Sequence, residues 1–205
     1  MRFPLCNIRI SPVCSLHSIH AGRIDSYELC EYTGPFENFG GRHHECTSDC
    51  CSNDSADLTC LLNCCNSIRV ESGCFMVYEK SNFNGKQYCL RRGEYPDCHD
   101  WMGVGDRVCS CRLIHMPGSF SMRLYERIEF GGQMMDLEDD CPSVMDRFHV
   151  NGIFSCNVTD GNWLFYEQPD YRGRMYLIRP GDYTRFSEWG GRSARVGSIR
   201  RILAS

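Results

Sequence analysis

The sequence predicts an all-β protein of two β-sandwich domains, and three observations carry that expectation. Most of residues 78–112 recurs 88 positions later: Tyr78, Glu79, Gly85, Gly93, Tyr95, Trp101, Gly103, Ser110 and Arg112 match Tyr166, Glu167, Gly173, Gly181, Tyr183, Trp189, Gly191, Ser198 and Arg200. Short aromatic and β-branched runs are separated by turn clusters every eight to twelve residues, with no long amphipathic helix. A Pro-Gly connector, HMPGS at 115–119, then divides the repeats into two pairs.

The repeated unit has about forty residues. YEKSNFNG at 78–85, YERIEFGG at 125–132 and YEQPDYRG at 166–173 open three copies, and Ser110, Ser155 and Ser198 close them. The opening text sets Tyr78, Glu79, Phe83 and Gly85 against Tyr125, Glu126, Phe130 and Gly132, and against Tyr166, Glu167, Tyr171 and Gly173. The glycine takes positive φ without a Cβ clash, so the hairpin folds over. The tyrosine ring then packs on the glycine and the inner aromatic. A serine some 25 residues later is placed to bond backbone groups that the folded hairpin leaves unpaired. These are structural residues, since a set that recurs with the repeat answers to the fold and not to a single site.

The first unit is ambiguous. One corner begins at Tyr27 and Glu28 and ends at Gly34; the other uses Phe39 and Gly41. Gly41 lies 26 residues before Ser67, close to the 25, 23 and 25 of the later units, whereas Gly34 lies 33 before it. Spacing favours Gly41, with the segment around Tyr27 either supplying the opening strand across an enlarged turn or lying outside the sheet. The expected organisation is a disordered extension at 1–21, an N-terminal domain at 22–114, a linker at 115–119 and a C-terminal domain at 120–205, each domain large enough for one core. A short helical turn at most is expected around 98–103 and 186–191. Trp101 and Trp189, at matching places, are expected in the two cores.

Bulk properties exclude several classes. A chain of 205 residues with 42% hydrophobic and 23% charged residues suits a soluble globular protein. A formal charge of −4 gives no footprint for nucleic acid or an anionic membrane, and no apolar run approaches the roughly 20 residues that span a bilayer. Asn7, Arg9 and Pro12 interrupt the first apolar stretch, so no secretory h-region forms. Fourteen of the sixteen cysteines lie at or before Cys111, so the second half builds the same repeat nearly without them. That distribution reads as reduced thiols in a cytosolic setting, with exposed neighbours open to oxidation. His43, His44, Cys46, Cys50, Cys51, Cys60, Cys64 and Cys65 crowd together, but their pairing is too loose for a zinc site. The run DLEDD at 136–140 reads as a solvated loop. Hydrolase, P-loop, metalloprotease and dinucleotide signatures are absent, so neither an enzyme nor a cofactor is expected.

Several stretches, GRHHECTSDC, NSIRVESGCFMVYE, LRRGEYPD, WMG, SCRLI, YEQPDYRGRMYLIRPGDY and SIRR, are similar to segments of the βγ-crystallins, and within them the γ-crystallins of vertebrate lens. MMDLEDDCPSVMDRF resembles the methionine-rich γ-crystallins of fishes. The resemblance runs from about 36 to 203; CSNDS at 51–55 looks inserted, and residues 1–21 have no counterpart. It implies four Greek-key motifs paired into two sandwiches and a monomer making weak contacts with other crystallins at high concentration. The implied role is that of a lens structural protein in fibre-cell cytoplasm. Polarisable side chains, 16 Cys, 9 Met and 24 aromatics, suit a refractive filler. The alternative is a calcium- or metal-binding βγ module with a stress or extracellular role. Microbial relatives bind calcium through (N/D)(N/D)xx(S/T)S loops; here LNCCNS, GDRVCS, VNGIFS and SARVGS all lack the first and fifth ligands. Asn63, Asp106 and Asn151 are the weak candidates that remain.

Overall fold

The computed structural model describes residues 23–27, 43–46, 50–51, 67–96, 108–115 and 118–203. The strands are β1 (Arg23–Tyr27), β2 (His43–Cys46), β3 (Cys50–Cys51), β4 (Ser67–Lys80), β5 (Asn84–Tyr95), β6 (Ser110–Leu113), β7 (Ser121–Tyr125), β8 (Met134–Leu137), β9 (Ser155–Asp160), β10 (Trp163–Gln168), β11 (Arg172–Ile178), β12 (Gly181–Tyr183) and β13 (Ser198–Arg201). Every strand pair is antiparallel.

In the C-terminal half one layer runs β8-β7-β9-β12. The other runs β13-β10-β11, with Cys141 bridging to Ile199 on β13. The two units therefore exchange their third strands: β12 of unit four joins the sheet of unit three, while the short segment at Cys141 joins that of unit four. The N-terminal half repeats the exchange with longer strands. The register of β4 shifts between Val70 and Cys74, around Gly73 at φ 81°. Before the shift β4 pairs with β1 and with the end of β5, Ile68 facing Tyr95 and Val70 facing Gly93; beyond it β4 pairs with β6 and the start of β5. Each long strand thus serves both layers, and β3 adds to β6. This is the Greek-key sandwich architecture, present twice.

Alternation along these strands fills the space between layers. Met122, Leu124, Leu137, Ile153, Cys156, Val158, Trp163, Phe165, Ile178 and Ile199 are buried in the C-terminal core. Ile68, Val70, Phe75, Val77, Leu90, Val108 and Cys111 form its N-terminal counterpart. A third apolar cluster joins the halves, setting Cys74, Met76, Tyr78 and Ile114 against Leu164, Tyr166, Leu177 and Ile202. It arises from strand alternation, since residues on the outer face of β4 and β10 point away from their own cores and need another surface to cover them.

β1 resolves the ambiguity of the first unit. It pairs with both β2 and β4, so the segment at Tyr27 supplies the opening strand across an enlarged turn. One helix lay outside expectation: α1 (Val144–Phe148) is capped by Ser143, whose side chain accepts from Asp146 N, and is ended by His149 at φ 59°. The turn expected at 186–191 is a 3-10 helix at Phe186–Trp189; the matching stretch at 98–103 lies outside the described residues.

The charge run at 136–140 is solvated at Asp136, Glu138 and Asp139, as expected, but it begins as strand and not as loop. Asp136 and Leu137 belong to β8, Leu137 is fully buried, and Arg123 Nε donates to Asp136 Oδ1 at 2.6 Å. Asp140 Oδ1 accepts from the backbone N of Arg201 at 2.9 Å and from its Nε at 3.0 Å. Strand alternation buries the one leucine, and arginines of β7 and β13 pair with Asp136, Asp139 and Asp140.

Candidate functional site

The repeated corners are a constellation of side chains that the chain builds several times. A single register underlies them. Tyr27 faces Ser67, Tyr78 faces Ser110, Tyr125 faces Ser155 and Tyr166 faces Ser198 across their ladders. The opening tyrosine also faces a residue two positions after the hairpin glycine: Gln87 after Gly85, Met134 after Gly132, Met175 after Gly173. In the first unit Tyr27 faces His43, two positions after Gly41. Phe39 and Gly41 themselves lie outside the described residues, as do Asn63, Trp101 and Asp106.

Within each described corner the serine closes two gaps left by the folded hairpin. Ser110 Oγ donates to the Lys80 carbonyl at 2.7 Å and accepts from Phe83 N at 3.1 Å. Ser155 Oγ donates to the Arg127 carbonyl at 2.6 Å and accepts from Phe130 N at 3.0 Å. Ser198 Oγ donates to the Gln168 carbonyl at 2.6 Å and accepts from Tyr171 N at 2.9 Å. All three serines, and Ser67, are buried. A buried hydroxyl with both its donor and an acceptor lone pair engaged has no remaining reason to be solvated.

The hairpin needs more left-handed backbone than its glycine supplies. Gly85, Gly132 and Gly173 have φ of 88°, 78° and 82°, but Asn82 and Phe83, Glu129 and Phe130, and Asp170 and Tyr171 are also left-handed, at φ 55–60°. Non-glycine residues pay strain there. The aromatic of each pair recovers contact with the opening tyrosine: ring centroids lie 5.5 Å apart for Tyr78–Phe83, 5.4 Å for Tyr125–Phe130 and 5.8 Å for Tyr166–Tyr171, all edge-to-face. The second residue of the motif accepts from the strand beyond: Glu79 Oε2 from Lys86 N and Glu126 Oε2 from Gln133 N, both at 3.2 Å. Glu167 departs from this, accepting at Oε1 from the Tyr176 hydroxyl at 2.7 Å. In units two and four an arginine two residues after the serine lies over the inner ring, Arg112 on Phe83 at 3.8 Å and Arg200 on Tyr171 at 4.9 Å. Trp189 is buried, edge-on to Phe165 at 5.5 Å.

Burial raises the Tyr166 hydroxyl to about 12. The Tyr176 hydroxyl also stands at about 12, through burial first and then its bond to Glu167. An unfolded tyrosine ionises near 10, so the folded state holds these protons more tightly. Their contribution to stability is complete below about pH 10 and is lost as pH rises toward 12. The urea midpoint is accordingly expected to hold below pH 10 and fall across that window, with Tyr176→Phe making the fall shallower. A pH-independent midpoint between about 10 and 12 counts against this.

Of the candidate calcium ligands only Asn151 falls among the described residues. Asn151 is exposed on a bend, and among the described residues no group of three or more His, Cys, Asp or Glu is placed to hold a metal ion. A cleft of about 300 Å³ between the halves is lined by Tyr78, Phe83, Gln87, Arg112, Arg174 and Trp189, among others. Two of its polar side chains join the halves: Gln87 Oε1 accepts from Leu177 N at 2.9 Å, and Arg174 Nη2 donates to the Gly85 carbonyl at 2.7 Å. No helix among the described residues is long and apolar enough to cross a membrane.

Paired sandwiches with exchanged third strands and a Tyr-Glu-Gly-Ser corner in each of the three later units define a class of Greek-key repeat proteins. The chain belongs to the βγ-crystallin family: the Beta/Gamma crystallin family model matches residues 35–114 and 121–202. It is 58% identical over 167 residues to "Gamma-crystallin S-1" of Chiloscyllium indicum, covering 81% of this chain and 94% of that one. It is 56% identical over 169 residues to "Gamma-crystallin M2" of the same species, covering 82% and 93%. Against "Gamma-crystallin D" of Bos taurus the identity is 53% over 165 residues, covering 80% and 92%.

Proposed function

We propose that this chain is a structural constituent of the eye lens, contributing transparency and refractive power as a densely packed soluble protein. The observation that carries the reading is identity above 50% to γ-crystallins over nearly their whole length. The corners support it, because their shared chemistry is turned inward to hold hairpins and leaves none poised toward solvent. On this reading the protein is a monomer without catalytic activity, resides in the cytoplasm of lens fibre cells and touches other crystallins through weak contacts at high concentration. Its domains are 22–114 and 120–205, joined by 115–119, with 1–21 as an extension. Met134 and Met145 are exposed and nine methionines are present in all, which suits polarisable matter at high concentration.

The deciding measurement is mass spectrometry of soluble lens extract, with thiols alkylated before and after reduction. Abundant peptides from both halves with most cysteines free are expected; absence from lens, or a largely disulfide-bonded first half, overturns the reading. Calorimetric titration with calcium separates the alternative module. No saturable micromolar binding is expected, and such binding abolished by Asp106→Ala would replace this proposal.

A further inference from the structure

Among the six cysteines whose side chains the structure describes, five are buried and Cys89 is half-buried. Cys141 and Cys156 each sit in the C-terminal core with no thiol beside them in the bonded contacts, and burial pushes both thiols up, away from reactivity. Cys74 and Cys89 differ, because they stand together. Cys74 faces Arg91 and Met76 faces Cys89 across β4 and β5. Cys74 and Cys89 are therefore diagonal neighbours on one face of the pair, the reach at which side chains on adjacent strands interact. Their Sγ atoms lie 3.4 Å apart, in hydrogen-bond contact. Both belong to the cluster that joins the two halves, Cys74 as a buried member at 1% exposure and Cys89 packed against it.

We propose that Cys74 and Cys89 form a built-in dithiol site that small-molecule disulfides, glutathione disulfide being the type, oxidise to an intramolecular Cys74–Cys89 disulfide without unfolding. Cys89 is the entry point, since it alone of the pair is half open to solvent. Its thiolate attacks one sulfur of the small disulfide, forming a mixed disulfide and expelling one thiolate. That thiolate takes up the proton lost by Cys74 as the Cys74 sulfur attacks Cys89 Sγ and displaces the second thiolate, which takes from solvent the proton that Cys89 released on ionising. The protein loses two electrons and two protons, and one disulfide is reduced to two thiols. The sulfurs must close by about 1.4 Å to reach a disulfide bond length, a movement within reach of side-chain rotation. The hydrogen bond from Cys74 is the main cause that lowers the Cys89 thiol, with Arg91 and Arg200 adding to it, while that bond and then burial raise Cys74. The order of attack follows from this asymmetry.

The site reads out cleanly. Cleavage after Lys and Arg places Cys74 in VESGCFMVYEK (70–80) and Cys89 in QYCLR (87–91), one cysteine in each. The reduced full-length chain is treated with glutathione disulfide, quenched in acid, alkylated under denaturing conditions and digested. The expected product is these two peptides joined and lighter by two hydrogens than their sum. Its yield should exceed by at least about tenfold that from chain oxidised in urea, where proximity is lost. Cys74→Ser is expected to trap one glutathione on Cys89, and Cys89→Ser to leave Cys74 free for alkylation. Recovery of both peptides as alkylated monomers while other cysteines oxidise, linkage of Cys89 to a different peptide, or an equal yield in urea would each overturn the proposal; the wild-type comparison decides even if a variant does not fold.

Discussion

Trp163→Ala is expected to cost the C-terminal half about 3–5 kcal/mol, the range for removing a fully buried large aromatic. Trp163 has no exposed surface, lies edge-on to Phe120 with centroids 5.5 Å apart, and sits among the side chains of both layers. Its indole Nε1 donates to the Asp160 carbonyl at 3.1 Å across the tight turn at Gly161, so truncation leaves both a cavity and a carbonyl without that donor. For a unit of this size, such a loss lowers the thermal midpoint by roughly 15–30 °C. The measurement is calorimetry of the whole chain, in which the transition of the C-terminal half should move far more than that of the N-terminal half. Equal displacement of all unfolding would show that the halves melt as one cooperative body.

Ser155→Ala should follow at about 2–4 kcal/mol, a large effect for a change of one oxygen atom. The hydroxyl serves the Arg127 carbonyl and Phe130 N at once. Alanine at this fully buried position leaves both groups without that partner, each costing about 1–3 kcal/mol. Phe130 sits in left-handed backbone, so the bond to its N also holds a conformation the chain would otherwise leave. Urea denaturation of Ser155→Ala beside Ser155→Thr separates the causes: threonine retains the hydroxyl and is expected to recover part of the loss if its methyl is accommodated. An alanine variant within about 0.5 kcal/mol of the parent would mean that water or relaxation replaces the serine, as surface substitutions allow.

The corners were legible in the sequence because one register generates them. Tyrosine opposite serine, and glycine two positions before the residue facing that tyrosine, recur at fixed spacing, so the near-constant 23–26 residues from glycine to serine project a three-dimensional pairing onto the chain. The same spacing selects Gly41, which lies outside the described residues, and two positions beyond it His43 faces Tyr27. The left-handed residues before the glycine were not legible, since Phe83, Phe130 and Tyr171 are aromatic residues that favour strands when taken alone. Nor was α1, five residues long and without room for a helical period; its one local signal is Ser143 three positions before Asp146. The exchange of third strands escaped for a different reason, because Cys141 meets Ile199 across 58 positions through a single bridge. The Cys74–Cys89 contact depends on the register shift at Val70 and Cys74, which no alternation pattern records.

The spacing from Tyr27 to its partner His43 is sixteen positions, where Tyr78 and Gln87, Tyr125 and Met134, and Tyr166 and Met175 are nine apart. Seven additional residues have been absorbed between two anchored strands with the pairing on either side kept in phase. Lengthening a connection is cheap in entropy, roughly 0.6 kcal/mol for each doubling, whereas slipping a strand by one position would turn its buried face outward. The first hairpin is thus a permissive port in the scaffold: evolution, or an engineer grafting a recognition peptide, has freedom to write new sequence there while the remaining three hairpins keep the frame.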